Sequence, residues 1–304
     1  MNDKLKRAFM LSAPILAIAF VGQGLLPPVI HPGKSKSSLP TSEPLSFQFT
    51  RIRAADRLRT EPMAINEFGT VVGTASNVRQ NEHVDEYAFC YSDQMGFTNL
   101  NQLLEPGSGW NLIRASDINN HGQIVGDGWI NGQRHAYRLS PGDYNSAGQQ
   151  TRMVIEDIGK LDLDDTRFCT HILDDFGEAC RISIDADGTR HAYCYTKETG
   201  MIETDISLFL VEFYDVIHGK KGPAFNRAGD FTAESHSSTT LLFLHRSRQP
   251  LTLDEIVTGP ELDTFLSVPK FPVAINDALQ ITGIVQPQGN TGPSWGFLLT
   301  PLDP

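Results

Sequence analysis

The chain has 304 residues, with 25 Lys and Arg against 36 Asp and Glu, and a formal net charge of −11. Hydrophobic residues make up 40% and charged residues 20% of the sequence, which excludes a wholly disordered or fibrous chain and allows one or two globular domains. Basic residues cluster only within the first seven positions, so the sequence argues against a phosphate backbone as partner and we expect no nucleic-acid binding.

The N-terminal segment predicts export. Cations within the first seven residues precede an uncharged apolar stretch over residues 8–30, in which Ala17 and Ala19 have the spacing of a signal cleavage site. The same stretch is long enough to remain as an uncleaved anchor, which would be the protein's sole contact with a membrane. In either case the rest of the chain lies outside the cytoplasm, in an extracellular, periplasmic or cell-surface location. The predicted segments are an export or anchor segment at residues 1–30, a Pro- and Ser-rich linker at residues 31–46 and a folded region at residues 47–304.

A motif of the type Ala-Ile-Asn-x-x-Gly-x-Val-Val-Gly recurs five times in the folded region, and a near-constant period of this kind indicates a repeat architecture. Each copy predicts strand, tight turn, strand, because Asn or Asp folds its side chain onto the turn and a Gly three positions later accepts positive φ. The Asn or Asp positions, separated by 53, 55, 52 and 50 residues, are Asn66, Asn119, Asp174, Asn226 and Asn276. The glycines are Gly69, Gly122, Gly177 and Gly229. Leu279 takes the glycine position in the fifth copy, so we expect that turn to differ.

Further short strands follow each turn. The aromatic third strands are predicted at residues 87–91, 135–139, 191–195, 241–245 and 295–299, and fourth strands at residues 97–100, 153–158, 201–206 and 251–256. The fifth copy lacks a fourth strand, whereas Phe47 to Ile52 matches that pattern ahead of the first turn. The sequence therefore predicts an all-β, five-bladed β-propeller with four-stranded antiparallel blades of about 52 residues, the last blade being closed by the N-terminal strand.

The turn motif, together with the His-Ala-Tyr strands that begin at His135 and His191, resembles the HAF family of extracellular repeat proteins, named for a His-Ala-Phe motif. The resemblance covers about residues 47–300 and is clearest in the first, second and last copies. In the third and fourth copies Arg181 and Ala233 replace the last glycine of the motif. The resemblance implies an exported, propeller-like repeat protein and brings no catalytic residue to this sequence.

The disulfide state of the four cysteines, Cys90, Cys169, Cys180 and Cys194, stays open. Cys169 and Cys180 flank a predicted turn, but pairing the strands around it places Cys180 opposite His171, so these two cysteines do not face each other. We interpret the cysteines as buried thiols, with disulfides as the alternative in an exported chain. The spacing of a Cys-x-x-Cys metal site does not occur.

Six side chains in or beside loops at one end of the predicted blades form a candidate ligand site: Trp110, Arg114, Trp129, Arg134, His135 and Trp295. Indole faces stack on sugar rings, and Arg and His donate hydrogen bonds. Five of the six belong to the second blade, so we expect one pocket there. Packing between blades is the alternative role for the tryptophans.

The sequence contains no catalytic motif that we recognise, and we predict no catalytic residue and no cofactor. Asp185 and Asp187 resemble a shortened calcium loop with too few carboxylates, so we interpret them as solvated turn residues. The leading hypothesis is a noncatalytic surface or extracellular binding or adhesion module with a glycan or protein ligand. The alternatives are a propeller glycoside hydrolase or lyase, which needs two carboxylates flanking a groove, and a purely structural envelope component.

Overall fold

The computed structural model describes residues 45–54, 58–79, 82–143, 146, 151–161, 170–173, 175, 177–184, 190–196, 198–204, 224–234, 240–245, 250–259, 270–286 and 294–302. Outside these residues lie the predicted export or anchor segment at residues 1–30, most of the linker, Cys169, Asp174, Asp185 and Asp187. Across the described ranges, no helix has the length and apolar character needed to cross a lipid bilayer.

The described residues form an all-β fold of five sheets. The strands are β1 (Phe47–Ile52), β2 (Arg59–Ile65), β3 (Val71–Arg79), β4 (Glu82–Ser92), β5 (Gly96–Asn99), β6 (Trp110–Ile118), β7 (Ile124–Ile130), β8 (Gln133–Pro141), β9 (Met153–Lys160), β10 (Thr170–Leu173), β11 (Ala179–Ile184), β12 (Arg190–Thr196), β13 (Gly200–Thr204), β14 (Ala224–Phe225), β15 (Phe231–Glu234), β16 (Thr240–Phe243), β17 (Leu251–Thr252), β18 (Val257–Thr258), β19 (Lys270–Ile275), β20 (Ile281–Val285) and β21 (Trp295–Pro301). A 3₁₀ turn spans Leu100–Leu103, and the short helix α1 spans Leu253–Ile256.

Sheets one to four each contain four antiparallel strands in chain order: β2 to β5, β6 to β9, β10 to β13 and β14 to β17. Sheet five has the order β18-β1-β21-β20-β19. Its β1 is antiparallel to β21, with Phe47 opposite Pro301 and Ile52 opposite Gly296, so the predicted pairing of the N-terminal strand with the last strand is confirmed. The two residues of β18 add a parallel strand beside the first two residues of β1, which makes five strands instead of the predicted four.

The fourth strand predicted over residues 251–256 is wrong in its second half. The strand β17 ends at Thr252, and Leu253 to Ile256 form α1. Asp254 and Glu255 lie in the first turn of α1, where carboxylates interact favourably with the exposed backbone N–H groups of a helix start. Leu253 is fully buried, so a single helical turn anchors this segment through its apolar side chain.

The turns between the first and second strands of sheets one, two, four and five share one pattern of backbone hydrogen bonds. In the first turn, Asn66 Oδ1 accepts the backbone N–H groups of Phe68 and Thr70, at 3.1 and 3.0 Å. Gly69 has φ +76°. Leu279 adopts φ +61° in the fifth turn, and its N–H donates to the Asn276 carbonyl at 3.0 Å, as that of Gly69 does to the Asn66 carbonyl at 3.1 Å. The prediction that the fifth turn differs is therefore wrong, because the same hydrogen bonds hold a leucine in the left-handed region.

The residues that follow Asn or Asp in each turn join the turns to one another. The backbone N–H of Glu67 donates to Asn120 Oδ1 at 2.9 Å, and that of Asn120 donates to Asp175 Oδ1 at 2.9 Å. The Arg227 guanidinium donates to Asp175 Oδ2 at 3.0 Å. The N–H of Arg227 donates to Asp277 Oδ1 at 2.8 Å, and that of Asp277 to Glu67 Oε2 at 2.9 Å. These contacts run from each turn to the next and return from the fifth turn to the first.

The Asn side chains of the motif form a second series of contacts between turns. Asn226 Nδ2 donates to the Asn276 carbonyl at 3.1 Å, and Asn276 Nδ2 to the Asn66 carbonyl at 2.9 Å. Asn66 Nδ2 donates to the Asn119 carbonyl at 3.2 Å. The predicted turn-forming role is thus seen for these residues, and the amide nitrogen adds a link that the sequence analysis did not anticipate.

Cys180 and Cys194 form a disulfide between directly opposed residues of β11 and β12. The interpretation of the cysteines as free thiols is therefore wrong for this pair. On β10 the residue opposite Cys180 is Ile172 and not His171, because five residues rather than four separate the paired ends of this hairpin. Cys90 is free, and burial raises the pKa of its thiol to about 12.

The two faces of sheet two pack against different neighbours. One face places Leu112 and Tyr137 in a cluster with Val72 of sheet one. The other face places Val125 in a cluster with Leu173 of sheet three. Sheet two is consequently a layer between sheets one and three, and any site built on it belongs to one interface or the other.

Candidate functional site

The pocket predicted around Trp110 and Trp129 does not form, because the two indoles lie on opposite faces of sheet two. Trp129 pairs with Asn111 on one side and Arg134 on the other, whereas Trp110 pairs with Ile130. Directly opposed residues share a face and successive residues alternate, so Trp110 faces sheet one and Trp129 faces sheet three. The prediction of one pocket is wrong.

On the face towards sheet one, Trp110 meets two rings edge-on, His135 at 6.2 Å and Tyr137 at 6.1 Å between centroids. His135 Nδ1 lies 2.8 Å from Asp157 Oδ2 on the next strand. Sheet three repeats this arrangement between a histidine and a glutamate at the corresponding strand positions, at 2.8 Å. A carboxylate on the fourth strand thus orients each of these histidines.

On the face towards sheet three, Arg134 Nε donates to Asp127 Oδ2 at 2.8 Å. These side chains are only 12% and 2% exposed, so the guanidinium neutralises a buried carboxylate. Arg114 Nε lies 3.7 Å from Glu86 of sheet one. The arginines predicted to meet a ligand therefore each lie beside a carboxylate of the protein.

Trp295 lies in sheet five, far along the chain from the other predicted site residues, and is only 5% exposed. Phe49 contacts it edge-on at 5.9 Å, and the Arg51 guanidinium lies 4.2 Å from its ring centroid. Burial removes the exposed face that a stacking platform requires, so the predicted ligand role of Trp295 is wrong and its indole is part of the core.

A cleft of about 690 Å³ opens between sheets two and three. It is lined by Gln123, Arg138, Ser140, Val154, Ile155, Glu156, Gly177, Glu178, Thr196 and Glu198. Gln123 and Gly177 belong to turns between first and second strands, and Thr196 is the last residue of β12, just before the turn to β13. The cleft therefore opens at the end of the sheets opposite to the loops where the sequence analysis placed the binding site.

The floor of the cleft is a polar network that joins the two sheets. Arg138 donates from Nε and Nη2 to Glu156 Oε2, at 3.1 and 2.5 Å, and from Nη1 to the Gly177 carbonyl. The Tyr195 hydroxyl donates to Glu156 Oε1, and this hydrogen bond, followed by burial, raises the pKa of Tyr195. Both carboxylate oxygens of Glu156 are thus engaged, and the Arg138 side chain is only 11% exposed.

The walls of the cleft present hydrogen-bonding groups around a small apolar surface. Gln123 Nε2 donates to Ser140 Oγ at 3.2 Å, and Glu178 and Glu198 carry carboxylates into the lining. Val154 is 56% exposed. Amide, hydroxyl and carboxylate groups beside an aliphatic surface are the partners of a ligand that carries both hydroxyl groups and C–H faces.

The sequence carries a signal for this cleft in the third strand of the second copy. Arg138 occupies a position in the third strand that the other four copies fill with Cys90, Cys194, Leu244 and Leu298. A charged residue at an apolar position of a repeat requires a partner specific to that copy. Comparing the five copies position by position would have singled out Arg138.

Asp117 breaks the repeat in the same way, since the equivalent residues are Ala64, Ile172, Ala224 and Ala274. Its carboxylate accepts the backbone N–H groups of Ile118 and of Leu173 in sheet three, both at 2.8 Å. Burial raises the pKa of Asp117 to about 7, opposed by these two hydrogen bonds and reinforced by the charge of Asp175. Asp117 thus connects sheet two to the start of the turn that carries Gly177 and Glu178.

The part of the chain that the structure describes contains no group of three or more His, Cys, Asp or Glu side chains that could hold a metal ion. The weak calcium candidates Asp185 and Asp187 lie outside it. The described geometry therefore supplies no donor set to which a metal-dependent step could be assigned.

No protein-family model matches the sequence, and no curated protein matches it. Among solved structures, the chain is similar to a luciferin-regenerating enzyme with a TM-score of 0.38 and 9% identity, covering 84% of this chain and 95% of that chain. A protein of unknown function from Dyadobacter fermentans DSM 18053 matches with a TM-score of 0.32 and 9% identity, covering 84% of this chain and 75% of that chain. Similarity at this level assigns neither a family nor an activity.

Proposed function

We propose that this protein is a five-bladed β-propeller that acts as an exported, noncatalytic binding module, with the cleft between sheets two and three as its ligand site. Three observations support the propeller. Five sheets arise from five repeats of about 52 residues, β1 pairs with β21, and the contacts between turns return from the fifth turn to the first. Closure of the last blade by the N-terminal strand is a common way to complete such a ring.

Export is supported by two independent features. The apolar N-terminal stretch has the layout of an export signal or anchor. The Cys180–Cys194 disulfide is a bond that persists in oxidising compartments outside the cytoplasm. Both features agree with the resemblance of the repeats to the HAF family, of which we propose this chain to be a member.

The cleft carries the proposal of ligand binding. A volume of about 690 Å³ is within the range that ligand sites occupy. Its floor is already tied together by Arg138, Glu156 and Tyr195, so the site is formed before a ligand arrives. The hydrogen-bonding groups and the aliphatic surface of its walls suit a polyhydroxylated ligand. We therefore favour a glycan over a protein as the ligand.

Binding without catalysis is favoured by the state of the central carboxylate. Glycoside hydrolysis requires one carboxyl group that gives a proton and a second that attacks or activates water. Both oxygens of Glu156 already accept hydrogen bonds, from Arg138 and from the Tyr195 hydroxyl. Glu156 therefore holds the two sheets together, and its oxygens are engaged by the protein rather than by a ligand.

The test is calorimetric titration of the full-length protein with hexasaccharides of β-1,4-glucose, β-1,3-glucose, β-1,4-xylose and α-1,4-galacturonic acid. Val154→Trp fills the cleft from an exposed edge position, and Ile202→Trp is the matched control on β13, where the residue is 43% exposed and outside the cleft. We expect at least one hexasaccharide to bind the wild type and Ile202→Trp, with affinity reduced at least about tenfold in Val154→Trp. Equal binding by all three proteins would place the site elsewhere, and the appearance of shorter products would favour the hydrolase or lyase.

A further inference from the structure

Asp117 lies where the two sheets that form the cleft are joined. Its two carboxylate oxygens accept from Ile118 on its own strand and from Leu173 at the end of β10, each at 2.8 Å. Leu173 immediately precedes the third turn, whose Gly177 carbonyl accepts from Arg138 on the cleft floor. One side chain therefore fixes the base of a turn that forms a wall of the cleft.

Among the charged groups near Asp117, Asp175 is the one whose charge acts on its carboxyl group. Asp175 of the third turn acts on Asp117 by repulsion, and Asp175 itself accepts from Asn120 and Arg227. On the other elements packed against β6, the described ion pairs are Arg59 with Glu61, Arg114 with Glu86 and Arg134 with Asp127. Glu67 accepts the backbone N–H of Asp277 in the series of contacts between turns.

We propose that Asp117 is a proton-sensitive link that holds the third turn against sheet two, and that it thereby regulates ligand binding in the cleft. The regulatory part rests on the proposed function of the cleft, whereas the link itself does not. In the ionised state both oxygens of Asp117 are acceptors and serve both N–H groups. When a proton from solvent binds one oxygen, that oxygen becomes an O–H donor facing an N–H donor, so one of the two links weakens.

The direction of the effect follows from these hydrogen bonds. The hydrogen bond from Leu173 lowers the pKa of Asp117, so the pKa is higher in a released state in which the Leu173 N–H has left and Asp117 stays buried. The turn is therefore held most firmly above neutral pH and is released as the pH falls below it. A release that exposed Asp117 to water would have the opposite sign, because burial is the largest influence on its pKa. One coupled proton changes an equilibrium by at most about tenfold per pH unit. The cleft is therefore expected to bind its ligand more tightly at about pH 8 than at about pH 6.

The link is tested by hydrogen exchange of the Leu173 amide in the full-length protein, expressed as protection relative to the intrinsic rate at each pH. We expect protection in the wild type to rise severalfold between about pH 6 and pH 8 and to stay constant in Asp117→Asn. Asp175→Asn removes the repulsive charge and is expected to move the midpoint to lower pH. Asp157→Asn, which removes a carboxylate from the opposite face of the same sheet, should respond as the wild type does.

Leu173 protection in the wild type that stays constant or falls as the pH rises across this range, or an unchanged response in Asp117→Asn, would overturn the link. If Asp117→Asn does not fold, the wild-type and Asp175→Asn midpoints decide the question by themselves. Titration of the four hexasaccharides at both pH values tests regulation, and pH-independent binding alongside a Leu173 transition would overturn the regulatory part. Failure of every hexasaccharide to bind would instead contradict the proposed function, while the Leu173 amide still decides whether the link exists.

Discussion

Replacing Arg138 by Met removes the group that ties sheet two to sheet three. The wild-type guanidinium donates two hydrogen bonds to Glu156 and one to the Gly177 carbonyl. Methionine keeps much of the aliphatic stem, so the change deletes the charge and its donors while preserving most of the packing.

The expected loss of unfolding free energy depends on how exposed Glu156 is once its arginine partner is removed. Glu156 is 35% exposed and still accepts from Tyr195, so it does not become a fully buried, unpaired charge. The loss of hydrogen bonds to a charged partner and of one to a carbonyl then costs about 2 to 3 kcal/mol. For a domain of this size that corresponds to a decrease in Tm of roughly 5 to 10 °C.

Urea and thermal unfolding of wild type, Arg138→Met and Arg152→Met measure this loss. Arg152 is the matched control, because it also contacts carboxylates but is 48% exposed, and exposed pairs contribute about 0 to 1 kcal/mol. We expect Arg138→Lys to fall between wild type and Arg138→Met, since lysine keeps the charge and loses the paired donors. Equal stability of Arg138→Met and Arg152→Met would show that the Arg138 network does not stabilise the contact between sheets two and three.

Three further changes test other parts of the fold. Gly122→Val places a β-branched residue at φ +72°, with a Cβ that would lie 3.3 Å from Pro141 Cγ, and should lower the free energy of unfolding by about 1 to 3 kcal/mol. Leu279→Val should lower it less, because that turn already holds a Cβ at φ +61°. Equal losses in urea unfolding would contradict the description of these turns. Deletion of residues 47–52 removes the partner of β21 and should lower the Tm of the whole domain, and an unchanged Tm would argue against closure by this strand. Global unfolding, unlike release of the third turn, exposes Asp117 to water. Because the folded pKa of Asp117 is about 7 and above its ordinary value, its contribution to global stability is complete below about pH 4 and is lost as the pH rises to about 7, by about 4 kcal/mol. The difference between wild type and Asp117→Asn in urea unfolding should show this slope, and parallel pH profiles would contradict it.

The repeat and its strands were predictable because each copy carries its own local turn signal. Asn66 and Gly69 determine a turn through contacts within five residues, so the sequence of one copy suffices. The conformation of the fifth turn was not predictable from Leu279, because neighbouring contacts impose positive φ on a residue that rarely adopts it by itself.

The candidate site was less predictable, because it depends on strand register and on contacts between sheets. Trp110 and Trp129 are close in the hairpin, and only the pairing of β6 with β7 shows that they occupy opposite faces. The cleft joins Arg138 to the Gly177 carbonyl across 39 positions of sequence. A residue-by-residue comparison of the repeats reveals that Arg138 and Asp117 are exceptional, but it does not reveal which sheet supplies their partners.

A crystal structure of the full-length protein with the hexasaccharide that binds most tightly would show directly whether the cleft is the ligand site. We expect the sugar between sheets two and three, in contact with Val154 and Ser140, above an intact network of Arg138, Glu156 and Tyr195. A sugar bound beside Trp110 or Trp129, or along the contacts between turns, would contradict the proposed role of the cleft.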